Sequence, residues 1–282
     1  MRNLEVALDA YRDKLGFNVP PGDVAVLPSG LAYQEIPFIG NYLEIRSIHD
    51  AEKVARFRPN YATFLPNHEG ALMLVLNVTS ASATASALRK QGFEVPNPEP
   101  APFTVGGTAV PAFWYFELPR SVLGEPGVVF CEYAPAIEKR LRRTEPQEWQ
   151  RHPNTARRII CVWIATSDIG TPSRVFEKMG FTGSRRRELP EVGAAGREIR
   201  IGEGSILLLQ PKSARGRVAA FVDERGEGIM GVSVEAENLE TARKVLEANT
   251  ERSVAAYRGP YGVSILVPGT WAHGLWIELV QI

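Results

Sequence analysis

"GLWIELVQI" (274–282) closes the chain with an apolar run that carries one carboxylate, Glu278, in its middle. Its length and its branched and aromatic residues fit a β-strand. A charge on the inner face of a strand is costly unless it is hydrogen-bonded, paired or bound to a metal; on the outer face it is an ordinary solubilising group. Which of the two applies depends on whether the position recurs.

It does recur in the sequence. Four strong apolar stretches, "NYLEIRSI" (41–48), "GVVFCEYA" (127–134), "SILLLQP" (205–211) and "LWIELVQI" (275–282), carry Glu44, Glu132, Gln210 and Glu278 at matching places. Helical periodicity precedes each of them. Leu4, Leu8, Tyr11 and Leu15 share one face of a first helix. "LGF" (15–17), "QGF" (91–93) and "MGF" (179–181) suit helix ends, with glycine as a left-handed cap. Ser80, Ser167 or Asp168, and Asn238 suit N-caps of the other three helices. "ALMLVLNV" (71–78), "IICVWIAT" (159–166) and "GIMGVSVEAE" (228–237) read as strands ahead of those helices. The repeating unit is therefore β-α-β-β-β, four times over, an α+β fold. The four polar residues either face water on half-exposed strands or line an internal concavity.

With 282 residues, the chain suits two domains, expected at 1–135 and 156–282 with a charged linker at 136–155. Formal net charge is zero, which gives no field for nucleic acid or anionic lipid. The basic runs "KRLRR" (139–143) and "RRRE" (185–188) read as solvated surface, and the glycines of "TVGGTAV" (104–110) as a hairpin turn. Two cysteines argue against a disulfide scaffold. The amino end shows no signal core and no run is long enough to span a bilayer, so a cytoplasmic monomer or homodimer is expected.

Four such units, each ending in an apolar-x-Glu-apolar strand, resemble the vicinal oxygen chelate superfamily and within it the glyoxalase-like domain group. "RNLEVALDAYRDKLGF" (2–17), "GNYLEIRSI" (40–48), the insertion "HDAEKVARFRPNYATFLPNHE" (49–69) and the turn "RHPNT" (151–155) carry the resemblance. It implies units paired into two cupped sheets, with the first and last strands of each unit aiming one residue into the cup. In catalytic members such residues hold a divalent metal that acts as a Lewis acid.

Carried over onto this chain, the positions in the second pair of units are Cys161, Gly231, Gln210 and Glu278. Glycine offers no ligand, and Cys161 reads as a small buried hydrophobe. In the first pair they are Glu44, Glu132 and Met73; the first strand of unit one has no counterpart after Met1, so either the start is truncated or misassigned, or the unit lacks a strand. Glu44 and Glu132 are then the candidate catalytic pair and the candidate metal ligands, with the ion expected only in a fuller form and otherwise no cofactor. "AFWYFEL" (112–118) sets Phe113, Tyr115 and Glu117 on one strand face, and one face of this stretch is expected to line the cup. The expected partner is a small molecule bound in a cup with a degenerate metal site. The alternative is a metal-dependent lyase, isomerase or dioxygenase acting on an oxygen-rich or aromatic substrate. Residues 49–69 read as a lid, and His273 as a loop residue near a cup mouth.

Overall fold

Helix stops decide where each unit turns back into its sheet. After each of three helices a glycine adopts positive φ, at Gly16, Gly92 and Gly180. The following Phe17, Phe93 and Phe181 then return an N–H to the last turn, on the carbonyls of Tyr11, Leu88 and Phe176. At Gly16 a side chain is also sterically barred, since a Cβ would lie 2.6 Å from Val245. The computed structural model describes residues 1–22, 24–105, 108–141 and 145–282. The glycines of "TVGGTAV" and the end of "KRLRR" lie outside the described residues.

Unit one runs through α1 (Leu4–Asp9), extended by a π-helical turn, then β1 (Ala25–Val26), β2 (Leu31–Pro37) and β3 (Tyr42–Ile48). The insertion folds as α2 (Ala51–Phe57) and α3 (Pro59–Phe64). Unit two comprises β4 (Met73–Asn77), α4 (Ala81–Lys90), β5 (Glu99–Val105), β6 (Thr108–Glu117), a short α5 (Arg120–Leu123) and β7 (Gly127–Tyr133). After α6 (Pro135–Leu141), unit three is β8 (Ala156–Ala165), α7 (Gly170–Lys178), β9 (Arg185–Leu189), β10 (Ala194–Ile201) and β11 (Gly204–Pro211). An inserted α8 (Arg217–Arg225) leads to unit four, β12 (Gly228–Ala236), α9 (Leu239–Thr250), β13 (Ala256–Arg258), β14 (Val263–Val267) and β15 (Trp276–Gln281). Side chains cap three of the helices as expected, from Ser80 to Ala83, from Asp168 to Gly170 and Thr171, and from Asn238 to Thr241.

Units three and four make one sheet, ordered β13-β14-β15-β12-β8-β11-β10-β9. At its centre β8 runs parallel to β11 and antiparallel to β12. The N-terminal half repeats this order as β5-β6-β7-β4 and β3-β2-β1, but as two separate sheets. Among the described residues no strand lies between β4 and β3, where β8 would be.

Helices α1, α4 and α9 and the backs of the sheets share one core that includes Tyr11, Phe17, Phe116, Phe130, Phe176 and Leu246. Polar stitches join the halves as well. His152 and Asn154 of "RHPNT" are buried, and Asn154 donates 2.7 Å to the Leu15 carbonyl at the end of the first helix. Asn41 exchanges two bonds with the backbone of Ile159, 2.8 and 3.1 Å, and the Ile39 N–H reaches the Arg157 carbonyl at 2.8 Å. These tie the β2–β3 turn to the start of β8. No helix among the described residues is long and apolar enough to cross a membrane.

Candidate functional site

The backbone bond that closes each first strand onto its partner puts the units in register. Met1 N meets the Arg46 carbonyl, Val78 N the Cys131 carbonyl at 2.8 Å, and Thr166 N the Leu209 carbonyl at 2.9 Å. The residues that follow these carbonyls are Ser47, Glu132 and Gln210. Glu132 Oε2 accepts from Ala81 N at 2.7 Å, and Gln210 Oε1 lies 3.5 Å from Ile169 N. In unit four the same task falls to Gln281, whose Oε1 accepts from Leu239 N at 3.2 Å. Glu132, Gln210 and Gln281 are thus helix-start groups on the helix side of their strands.

Glu44 and Glu278 each sit three residues earlier, on the opposite face, with Val129 and Leu207 at the matching places. The expected equivalence of Glu44, Glu132, Gln210 and Glu278 is therefore corrected, since two of them face a cup and two cap helices. Val128 and Phe130 pack with Ala81, Ala85 and Leu88, which fixes the helix side of β7. Cys131 and Tyr133 alternate with them and face the cup. Glu44 and Glu132 do not share a concavity.

The C-terminal cup is filled. Trp163, Leu207, Leu209, Leu189 and Met230 pack there, with Val218 and Phe221 of α8 closing over them. Cys161 is part of this core, and burial pushes its thiol up to about 12. Glu278 is fully buried among them. Trp163 Nε1 donates 2.9 Å to Ser233 Oγ, which donates 2.5 Å to Glu278 Oε2, while the Tyr257 hydroxyl donates 2.6 Å to Oε1. The carboxylate of "GLWIELVQI" thus faces inward and is satisfied by hydroxyls.

The N-terminal cup is open. Tyr42, Glu44 and Arg46 of β3 face Tyr133 of β7, and Phe113 and Tyr115 of β6 stand beside it, with Phe113 5.9 Å from the Tyr133 ring. The hydroxyls of Tyr42 and Tyr133 are 2.6 Å apart. Burial, followed by the neighbouring ionisable groups, drives the acidity of both phenols well below that of a free tyrosine. Arg46 is ion-paired with Glu44 and donates 3.2 Å to the Tyr61 hydroxyl on α3. Burial works against the Arg46 charge, yet Tyr61 and Glu44 hold the guanidinium above its usual range.

The insertion 49–69, expected as a lid, packs Val54, Tyr61 and Leu65 against Leu31 of β2 in a small core. Arg58 fastens it to Glu117 at 3.2 Å, and its last residue, Glu69, meets His273 Nδ1 at 3.0 Å. The sequence places His273 in a loop, but nothing in "PGTWAHG" signals its partner, which lies 204 positions away.

A cavity of about 340 Å³ begins at these side chains and continues between β3 and β4. Its front is lined by Tyr42, Glu44, Arg46, Tyr61, Met73 and Tyr133, and its depth by Leu74, Leu76, Ile160 and Ile206. Among the described residues, no three His, Cys, Asp or Glu side chains cluster so as to hold a metal ion. Glu44 is engaged with Arg46, and Glu278 with Ser233 and Tyr257. The residues present do not fit the divalent ion that the resemblance implies.

A solved structure shares this architecture over the whole chain. A variant of 4-hydroxymandelate synthase from Streptomyces coelicolor superposes over 100% of this chain and 90% of its own, with a TM-score of 0.67 and 14% identity. Methylmalonyl-CoA epimerase from Mycobacterium tuberculosis covers 45% of this chain and 89% of its own, with a TM-score of 0.41 and 20% identity. At such identities the first likeness shows a shared fold and says nothing of activity. No curated protein sequence matches. The family model for a glyoxalase-like domain matches residues 1–174. The chain belongs to the glyoxalase-like domain family, with the vicinal oxygen chelate fold.

Proposed function

We propose that this protein binds a small molecule in its N-terminal cup without a protein-held metal. The observation that carries the reading is the contrast between the two cups. One is packed solid around Trp163 and Glu278; the other holds a cavity with a polar front and an apolar depth. Such a site suits a ligand with an apolar or aromatic body and a few oxygens, since concave, mostly apolar pockets with a few placed polar groups are the usual ligand sites. Tyr42, Tyr133 and Tyr61 offer hydroxyls that donate or accept, and Arg46 a charged donor. The lid helices α2 and α3 exclude water from one side and hold Tyr61 against Arg46.

Thermal-shift screening with small aromatic and oxygen-rich compounds tests this reading. The expected result is a set of compounds that raise the melting temperature of the wild type, with the shift lost in Arg46→Ala and Tyr133→Phe and kept in Glu132→Gln. Shifts that survive Arg46→Ala and Tyr133→Phe would place binding elsewhere and overturn it.

A further inference from the structure

Two insertions interrupt the four-unit repeat, and they fall at the same place in each half. Residues 49–69 lie between β3 and β4, and α8 lies between β11 and β12. Both are built from short helices, of seven and six residues in α2 and α3 and of nine in α8. Helices of that length are not stable alone in water, so each is held by what it touches. No side chain caps the start of α8, and Gly216 and Gly226 bracket it. Val218 and Phe221 hold its inner face on the C-terminal core, and Arg217 lies 5.3 Å from the Trp276 ring.

The far end of α8 meets the insertion at one residue. Arg225 donates to the Glu69 carbonyl and, at 2.9 Å, to the Gly274 carbonyl. Its guanidinium lies 5.5 Å from the Phe64 ring of α3 and 4.9 Å from the Phe221 ring of its own helix. A Cβ at Gly70 would run into this guanidinium, and one at Gly274 into the Glu69 carbonyl, so the close approach is written into the sequence. Arg225 Nε is buried without a hydrogen-bond partner. Among the described residues it is the only buried side-chain nitrogen or oxygen in that condition. A buried donor left unpaired raises the free energy of the closed junction, and release of the insertion returns that N–H to water. The contact is thus made to be separable.

We propose that the insertion and α8 open and close as one unit, with Arg225 transmitting the motion between them. The insertion borders the N-terminal cavity through Tyr61 and Leu65, and α8 covers the C-terminal core, so the two halves share one jointed cover. Opening the insertion takes Phe64 and the Glu69 carbonyl away from Arg225. That leaves α8 with Val218, Phe221 and the Arg217 stack alone. Loosening α8 has the converse effect. The insertion then keeps only its small core, the Arg58–Glu117 pair, the Glu69–His273 pair and its bonds to Arg2. Elements of low local stability that draw on a shared contact open cooperatively. By linkage, whatever fixes one of them fixes the other. This coupling is a property of the free chain and holds whether or not the N-terminal cup binds a small molecule.

Native-state hydrogen exchange on the full chain, read amide by amide by NMR in urea below the unfolding transition, tests this. The reporters are Leu65 and His68 for the insertion, Ala220 and Gly226 for α8, and Leu118 and Thr166 for the sheets, all with backbone hydrogen bonds. In the wild type the insertion and α8 are expected to share one urea dependence and one protection factor, within about threefold. That factor should lie about tenfold or more below that of the sheets. Arg217→Ala removes the stack on Trp276 at the exposed start of α8, and should lower protection in both elements by the same factor. In Arg225→Ala the two elements should separate by about tenfold, and Arg217→Ala added to it should loosen α8 alone. Should Arg225→Ala fail to fold, Phe64→Leu removes the ring from the insertion's side and is expected to give the same separation. Four results would overturn the proposal: unequal protection in the wild type, protection equal to that of the sheets, an effect of Arg217→Ala confined to α8, or equal protection that survives Arg225→Ala or Phe64→Leu.

Discussion

The hydroxyl of Tyr42 lies 2.6 Å from that of Tyr133, joining β3 to β7 across the mouth of the cavity. Among the described residues no strand lies between β3 and β4, so this pair is a direct polar link between the two sheets. Replacing Tyr133 by Phe leaves the Tyr42 hydroxyl without this partner and is expected to lower stability by about 1 kcal/mol. A double-mutant cycle with Tyr42→Phe in urea titrations should return a coupling energy of the same order. Strict additivity of the two losses would show that the hydroxyls do not act together.

Glu132 is expected to matter for folding and not for ligand binding. Glu132→Ala removes the acceptor for the Ala81 N–H and should cost about 0.5–2 kcal/mol in chemical denaturation, the range of a lost helix cap. Glu132→Gln keeps an oxygen there and should recover most of that loss. A change in cup binding without a change in stability would contradict the placement of this side chain.

Glu278 should show the opposite asymmetry to a surface acid. Glu278→Ala strips Ser233 and Tyr257 of their shared acceptor inside a closed core, and about 3 kcal/mol of destabilisation is expected. Glu278→Gln, nearly the same shape, should lose less. Both variants should leave ligand binding in the N-terminal cup intact, as read by isothermal calorimetry.

His152 predicts the acid limb of stability. Its Nδ1 accepts from the Asn18 N–H at 2.9 Å and its Nε2 faces the Pro37 carbonyl at 3.0 Å, an arrangement that requires the neutral ring. Burial pushes its pKa down to about 4, against about 6.5 in an unfolded chain. The unfolded state thus binds the proton more readily. Its contribution is whole above pH 6.5 and is lost as pH falls toward 4, by about 3 kcal/mol over that window. Urea titrations at pH 7.5 and pH 4.5 should show this difference in the wild type and a clearly smaller one in His152→Gln. Equal differences in both proteins would assign the acid limb to other groups.

The β-α-β-β-β units were legible because each carries its own punctuation. N-caps such as Ser80 and Asn238 and the glycine-phenylalanine stops are local signals, and local signals survive in a single sequence. The face taken by Glu132 was not legible. In "GVVFCEYA" both sides of the strand are buried against protein, so the alternation that distinguishes inside from outside disappears. Contacts between distant residues set it: the bond from Ala81 to Glu132, 51 positions apart, and the packing of Val128 and Phe130 with Ala85 and Leu88. Glu44 was legible as a cup residue because Leu43 and Ile45 flank it on a strand with one polar side. The sealed C-terminal cup escaped notice for a different reason. The residues that seal it come from α8, which lies in the stretch between units three and four and has no counterpart in the repeat.

The bonds between Asn41 and Ile159 have a mechanical meaning. The tip of the β2–β3 hairpin is pinned to the first residues of β8, the central strand of the other sheet. If β3 swings away from β4 to admit a guest, it must pivot about Asn41, as a lever does about its fulcrum. The short arm of that lever is the backbone of Ile159, and it delivers the motion to the strand that carries Trp163 and the packed cup beyond.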